Sequence, residues 1–149
     1  MSIKKNLYNI CQFYIESRIK NIEDAMEIAT ESANGETKSS AGDKHETSRA
    51  MAHLEQEKCS AQLQEALKLK NTLQQIDAEF IHSKVGLGAL IFTDQLNYYI
   101  SIAAGKIEWE GTFYYAISMA SPIAQKMLNK NVEDTFSHNN IEFKILKIE

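Results

Sequence analysis

Apolar residues in the first eighty positions recur in alternating steps of three and four. From Ile15 they fall at Ile15, Ile19, Ile22, Met26, Ala29 and Ala33, a heptad seam and not the wider stripe of a globular helix. Tyr8 and Cys11 extend it backwards. No proline or glycine interrupts the chain before Gly35, and Asn34-Gly35 makes a helix stop because either residue accepts the left-handed conformation. Read from its far end, a second pattern runs Phe80, Ile76, Leu73, Leu69, Ala66 and on through Leu63, Cys59 and Ala52, with one irregular step at Ala66 to Leu63. It predicts a helix from about Lys44 to about Phe80, roughly 50–55 Å long at 1.5 Å per residue. A connection of about eight to ten residues between such helices predicts an antiparallel hairpin. A dimerising coiled coil is the alternative; the glycine-bearing break and the comparable arms favour the hairpin.

The seam changes along its length. Ile15, Ile19, Leu63, Leu73 and Ile76 lie towards one end, and Ala29, Ala33, Ser48 and Ala52 towards the turn. Small residues let helices approach but bury little area, so the turn end is expected to be the least stable. The turn itself, Ser39-Ser40-Ala41-Gly42-Asp43-Lys44-His45-Glu46-Thr47-Ser48-Arg49, is too polar to be buried. It displays Asp43 and Glu46.

Past His82 the period drops from 3.5 to 2, which separates a hairpin of residues 1–82 from a second unit of residues 83–149. Gly86-Leu87-Gly88 is the hinge candidate. Ala89–Thr93, Tyr98–Ile102, Lys106–Trp109 and Phe113–Ser118 read as strands, with Glu110-Gly111 as a hairpin turn. Ser121-Pro122 opens a short helix with a cap residue followed by proline. Phe136 marks a short strand, Asn139-Asn140 a tight turn, and Ile141 to Ile148 the last strand. The expected class is α+β: a helical hairpin, then a mostly antiparallel sheet of five or six strands with one helix on it. Such a unit is large enough for one modest core but not for a deep pocket as well.

Composition narrows the function. The net charge of −4 conceals an acidic stretch: residues 23–57 hold nine acidic residues against Lys38, Lys44 and Arg49, a local charge of −6. That surface argues against direct duplex binding and suits a cation or a basic protein face. No apolar run is long enough to cross a membrane and no secretory signal opens the chain, so a cytoplasmic protein is expected. Cys11 and Cys59 lack metal-type spacing and read as reduced packing residues.

Asp43 and Glu46 stand three apart at the predicted start of the second helix, so both face one direction. Two readings stay open: a capping box, with Asp43 as cap and Glu46 reaching back to it, and a displayed pair of hard oxygen donors. The C-terminal unit offers no nucleophile constellation; His138 reads as a solvated turn residue, and Ser118 and Ser121 have no histidine nearby. Of Tyr98, Tyr99, Trp109, Phe113, Tyr114 and Tyr115, strand alternation predicts about half in the core, the rest being available as a docking face.

Two segments carry a family likeness. Gly42-Asp43-Lys44-His45-Glu46-Thr47 resembles the tip motif of the bacterial Gre transcript-cleavage factors, and Ile117-Ser118, Ser121-Pro122-Ile123-Ala124 and Leu128-Asn129-Lys130-Asn131-Val132-Glu133-Asp134 resemble their C-terminal signature. In that signature a serine-proline helix leads to Leu-Gly-Lys and Gly-Asp; Asn129 and Glu133 stand here where the family has glycine, and Lys44 where the tip has a hydrophobic residue. The resemblance implies an FKBP-like C-terminal domain and binding of RNA polymerase through its secondary channel. Asp43 and Glu46 would then act in trans on the polymerase-held Mg²⁺ and the nascent RNA 3′ end, promoting cleavage of backtracked RNA. Ser121, Pro122 and Ile123 would dock. The protein would have no active site or cofactor of its own and would be a monomer. A non-cleaving polymerase modulator and, more remotely, a prolyl isomerase or chaperone are the alternatives.

Overall fold

The computed structural model describes residues 2–36 and 43–149, with side chains at all of these except 35, 36 and 43–45. The elements are α1 (Ile3–Glu36), α2 (Asp43–Gln74), β1 (Leu90–Thr93), β2 (Asn97–Ser101), β3 (Gly105–Trp109), β4 (Thr112–Ser118), α3 (Pro122–Met127), β5 (Thr135–His138) and β6 (Ile141–Ile148). The arrangement is α+β: two N-terminal helices packed together, then a mixed sheet with one short helix. Its contacts form two compact units, one of Ile15–Lys70 and one of Met1–Tyr14 with Asn71–Glu149.

The helical unit buries the heptad seam. Ile15, Ile22, Ala29 and Ala33 of α1 and Ala52, Cys59 and Ala66 of α2 are all buried. The six residues that join the helices reach at most about 25 Å, less than the roughly 33 Å of α1 within this unit. The packed pair is therefore antiparallel. Alanine offers about 0.8 kcal/mol per methyl buried, against ~1.5–3 kcal/mol for a whole Ile or Leu side chain. The stretch holding Ala29, Ala33 and Ala52 is accordingly the less strongly packed. Between Ala52 and Cys59 the seam position falls to Gln56, half-buried. Gln56 Nε2 donates to Thr30 Oγ1 across the pair at 3.0 Å, the Thr30 hydroxyl donates to the Met26 carbonyl at 2.9 Å, and Gln56 Oε1 lies 2.9 Å from His53 Nδ1. A polar group at a seam position favours the one register in which it finds a partner.

Helix α2 ends at Gln74, six residues before the expected Phe80. Ile76 still buries, whereas Phe80 is largely exposed and leaves the seam. Asp77 is the reason: its Oδ1 accepts the Glu79 amide at 2.9 Å and its carbonyl accepts the Phe80 amide at 3.2 Å. These local turn bonds compete with the helix ladder.

The sheet unit has strand order β3-β4-β2-β1-β6-β5. Among the described residues four of its five pairings are antiparallel, and β2 runs parallel to β4 with Tyr98 opposite Tyr115. The sheet is thus mostly antiparallel, as expected, and the one parallel pairing that makes it mixed has a topological reason. After β2 the chain crosses the end of β4 and lays β3 on its far side, so the β3–β4 hairpin returns β4 parallel to β2. Turn chemistry is as the dipeptides require: Glu110-Gly111 has φ of 49° and 79°, and Asn139-Asn140 has 52° and 65°, the paired left-handed values of a tight hairpin turn. Asn129 (φ 64°) and Glu133 (φ 77°) are left-handed as well.

Both faces of β2 are covered. Tyr98 and Ile100 join Ala124 and Met127 of α3 and the stacked pair Phe136–Phe143, whose ring centroids are 4.9 Å apart. Tyr99 and Ser101 point to the other face, where Cys11 Sγ of α1 lies 3.6 Å from Ser101 Oγ. Half of the six strand aromatics lie in the core, as strand alternation predicts. Tyr98, Tyr99 and Tyr114 are buried, and Phe113 is the one of the six exposed by more than a third. Gly88 serves this close packing: its φ is +89°, and a Cβ there would meet Ile76 Cγ2 at 3.0 Å.

Candidate functional site

Helix α2 begins at Asp43, which places Asp43 and Glu46 on its first turn, three residues apart. Glu46 is exposed. The side chains of Asp43, Lys44 and His45, and all of Ser39–Gly42, lie outside the described residues. The helical unit also carries exposed carboxylates at Glu23, Asp24, Glu27 and Glu31 on α1 and at Glu55 and Glu57 on α2. Lys20 Nζ reaches Asp24 at 3.7 Å.

Mg²⁺ keeps several waters and is commonly held by one or two carboxylates together with phosphate oxygens, so two carboxylates on one helical turn suffice only as part of a shared shell. They fit a metal that is mainly held elsewhere. Among the described residues no group of three or more His, Cys, Asp or Glu side chains is placed to bind a metal ion.

The second predicted site resolves into separate duties. Ser121 caps α3, accepting the Ala124 amide at 3.3 Å and donating to the Ser118 carbonyl at 2.8 Å. Ile123, on α3, packs partly buried against the core. Pro122 alone of the three is exposed, next to exposed Gln125 and Lys126. The cysteines are buried and unbridged. Burial pushes the Cys11 thiol up, against a smaller opposing effect of Ser101, so it stays protonated and inert.

Two features escaped the sequence reading. Gln56 was legible as the polar residue filling the gap between Ala52 and Cys59. Lys4 was not: a lysine near the start of a helix signals a solvated face, yet this one is buried. No helix among the described residues is long and apolar enough to cross a membrane. Compared with known proteins, the chain matches no family model, no curated protein and no solved structure.

Proposed function

We propose that the protein is a Gre-like transcription elongation factor that binds RNA polymerase and promotes cleavage of backtracked RNA. One observation carries the reading: α2 starts at Asp43, so Asp43 and Glu46 share the first turn at the end of a helical pair that carries exposed carboxylates. In two-metal phosphodiester hydrolysis a loosely held metal needs additional hard oxygen ligands and an oriented water. Asp43 and Glu46 would supply those oxygens from outside the polymerase, so the factor needs no active site of its own. The helical unit would enter the secondary channel while the sheet unit, an FKBP-like domain in this reading, held the factor through the exposed surface at Pro122.

Backbone geometry lends support. Asn129 and Glu133 keep left-handed φ where the resembled family carries glycine, so the turns persist although the residues differ.

A non-cleaving modulator is the second reading, favoured by Lys44, which sets a positive charge between the two acids. A prolyl isomerase is the weaker one, because Tyr98, Phe136 and Phe143 fill the face beneath α3. Asp43→Ala with Glu46→Ala, tested on stalled elongation complexes, discriminates. Cleavage stimulation is expected to fall at least tenfold while polymerase binding persists. Stimulation unchanged by the double substitution would remove the carboxylate role. Absence of any stimulation by the native protein, with binding intact, would select the modulator.

A further inference from the structure

Within the sheet unit a cleft of about 910 Å³ opens between the first turn of α1, the segment after α2 and the end of β6. Ile3, Phe80, Ile81 and Ile148 supply apolar wall. Phe80 and Ile81 are consecutive in sequence and 57% and 78% exposed, although the Phe80 ring meets the His82 ring edge-on at 4.8 Å; two large apolar side chains side by side at the surface are an unusual placing.

Lys4 lines the same cleft yet is only 3% exposed. Its Nζ donates to the Phe80 carbonyl. An ammonium carries three donors, and that carbonyl is the one acceptor it finds among the described residues. The other lysines of the cleft are engaged: Lys5 with Glu79 at 3.3 Å and Lys147 with Glu149 at 2.9 Å. Asp77 and Glu149 act on Lys4 only through space, and burial outweighs them in lowering its pKa. Lys4 is thus the lysine of the cleft with no carboxylate in contact among the described residues, and its ammonium keeps donors to spare beside apolar walls.

We propose that this cleft binds an amphiphilic monoanion, a carboxylate head on an apolar chain, with the head at Lys4 and the chain over Phe80 and Ile81. The volume is in the range of small-molecule sites. A polyanion is disfavoured, because Lys5 and Lys147 already pair with Glu79 and Glu149 and leave Lys4 as the one lysine to meet an anionic head. The inference stands apart from the polymerase reading and survives or fails without it.

Decanoate is the probe and decanol its uncharged counterpart, each titrated into the full-length chain and followed by the methyl resonances of Ile3, Ile81 and Ile148. Decanoate is expected to saturate with shifts confined to these methyls, and decanol to bind at least tenfold more weakly. Lys4→Met keeps the length and removes the charge, so the tenfold preference should vanish while decanol binding remains. Should that variant not fold, Ile81→Ser at its exposed position is expected to weaken both probes severalfold and keep the preference. Equal binding of the two probes, shifts that fail to saturate, a preference that persists in Lys4→Met, or unchanged binding by Ile81→Ser would overturn the proposal.

Discussion

Tyr99 is the largest of the fully buried side chains, and among the described residues its hydroxyl has no hydrogen-bond partner. Burial drives its pKa far above the usual tyrosine range, with Cys11 and Tyr8 adding to the effect. A hydroxyl that leaves water without finding a partner costs ~1–3 kcal/mol. Tyr99→Phe deletes that group and leaves a void of about 10 Å³, which at ~24 cal/mol per Å³ costs roughly 0.2 kcal/mol. The substitution should therefore stabilise the sheet unit by about 1 kcal/mol. The lone tryptophan, Trp109, lies on β3 and reports on that unit by fluorescence during urea unfolding. With a slope of about 2 kcal/mol per molar urea, the midpoint should rise by about 0.5 M at unchanged slope. A midpoint that falls would refute the reasoning, because it would mean that the hydroxyl gains more from its surroundings than it loses by leaving water.

Gly88→Ala should cost about 2–4 kcal/mol, combining a left-handed backbone with overpacking against Ile76; a loss below about 1 kcal/mol in the same titration would show that the approach is not tight. His82 is held below its ordinary value by burial and by the Lys4 charge. The unfolded chain therefore binds its proton more readily, so this contribution is complete above about pH 6.5 and is lost as pH falls through and below that value. Urea midpoints at pH 7.5 and 5.5 should differ more for the native chain than for His82→Gln, and an equal difference would contradict the shift. Glu133→Gly in a Lys144→Ala background, where the 2.9 Å ion pair is already gone, should gain about 1 kcal/mol by relieving the left-handed glutamate; a lower midpoint there would argue against strain.

Most of the sheet unit was legible wherever local chemistry decides the outcome. Glu110-Gly111 and Asn139-Asn140 mark turns because few other pairs accept two positive φ values, and Ser121-Pro122 marks a helix start because the cap bond and the proline ring both need that place. What stayed hidden depends on distant partners. Alternation along β2 says that Tyr98 and Tyr99 face opposite ways, but nothing in Tyr-Tyr-Ile says that Leu7 and Cys11 of α1 pack into the sheet unit's core as well. The parallel β2–β4 pairing follows from where a three-residue connection lands, which no residue type encodes. Phe80 fitted the heptad by spacing, and Asp77 overrode it with two turn bonds. At the candidate site the spacing of Asp43 and Glu46 was readable because a helix start is a local matter. The position of Lys4 was not, since its burial comes from the segment after α2 and from β6.

The sheet unit draws on both ends of the chain, and this sets an order of events during synthesis. Ile15–Lys70 is contiguous, so the helices can close on one another as soon as α2 has left the ribosome. Leu7 and Cys11, already made, have to wait with their apolar surface uncovered until β2 emerges some ninety residues later. Strand β6, which lies between β1 and β5, follows the other strands in the chain. At about 5–20 residues per second that wait lasts several seconds, and the nascent N-terminal helix is through that interval the part of the protein most in need of a chaperone.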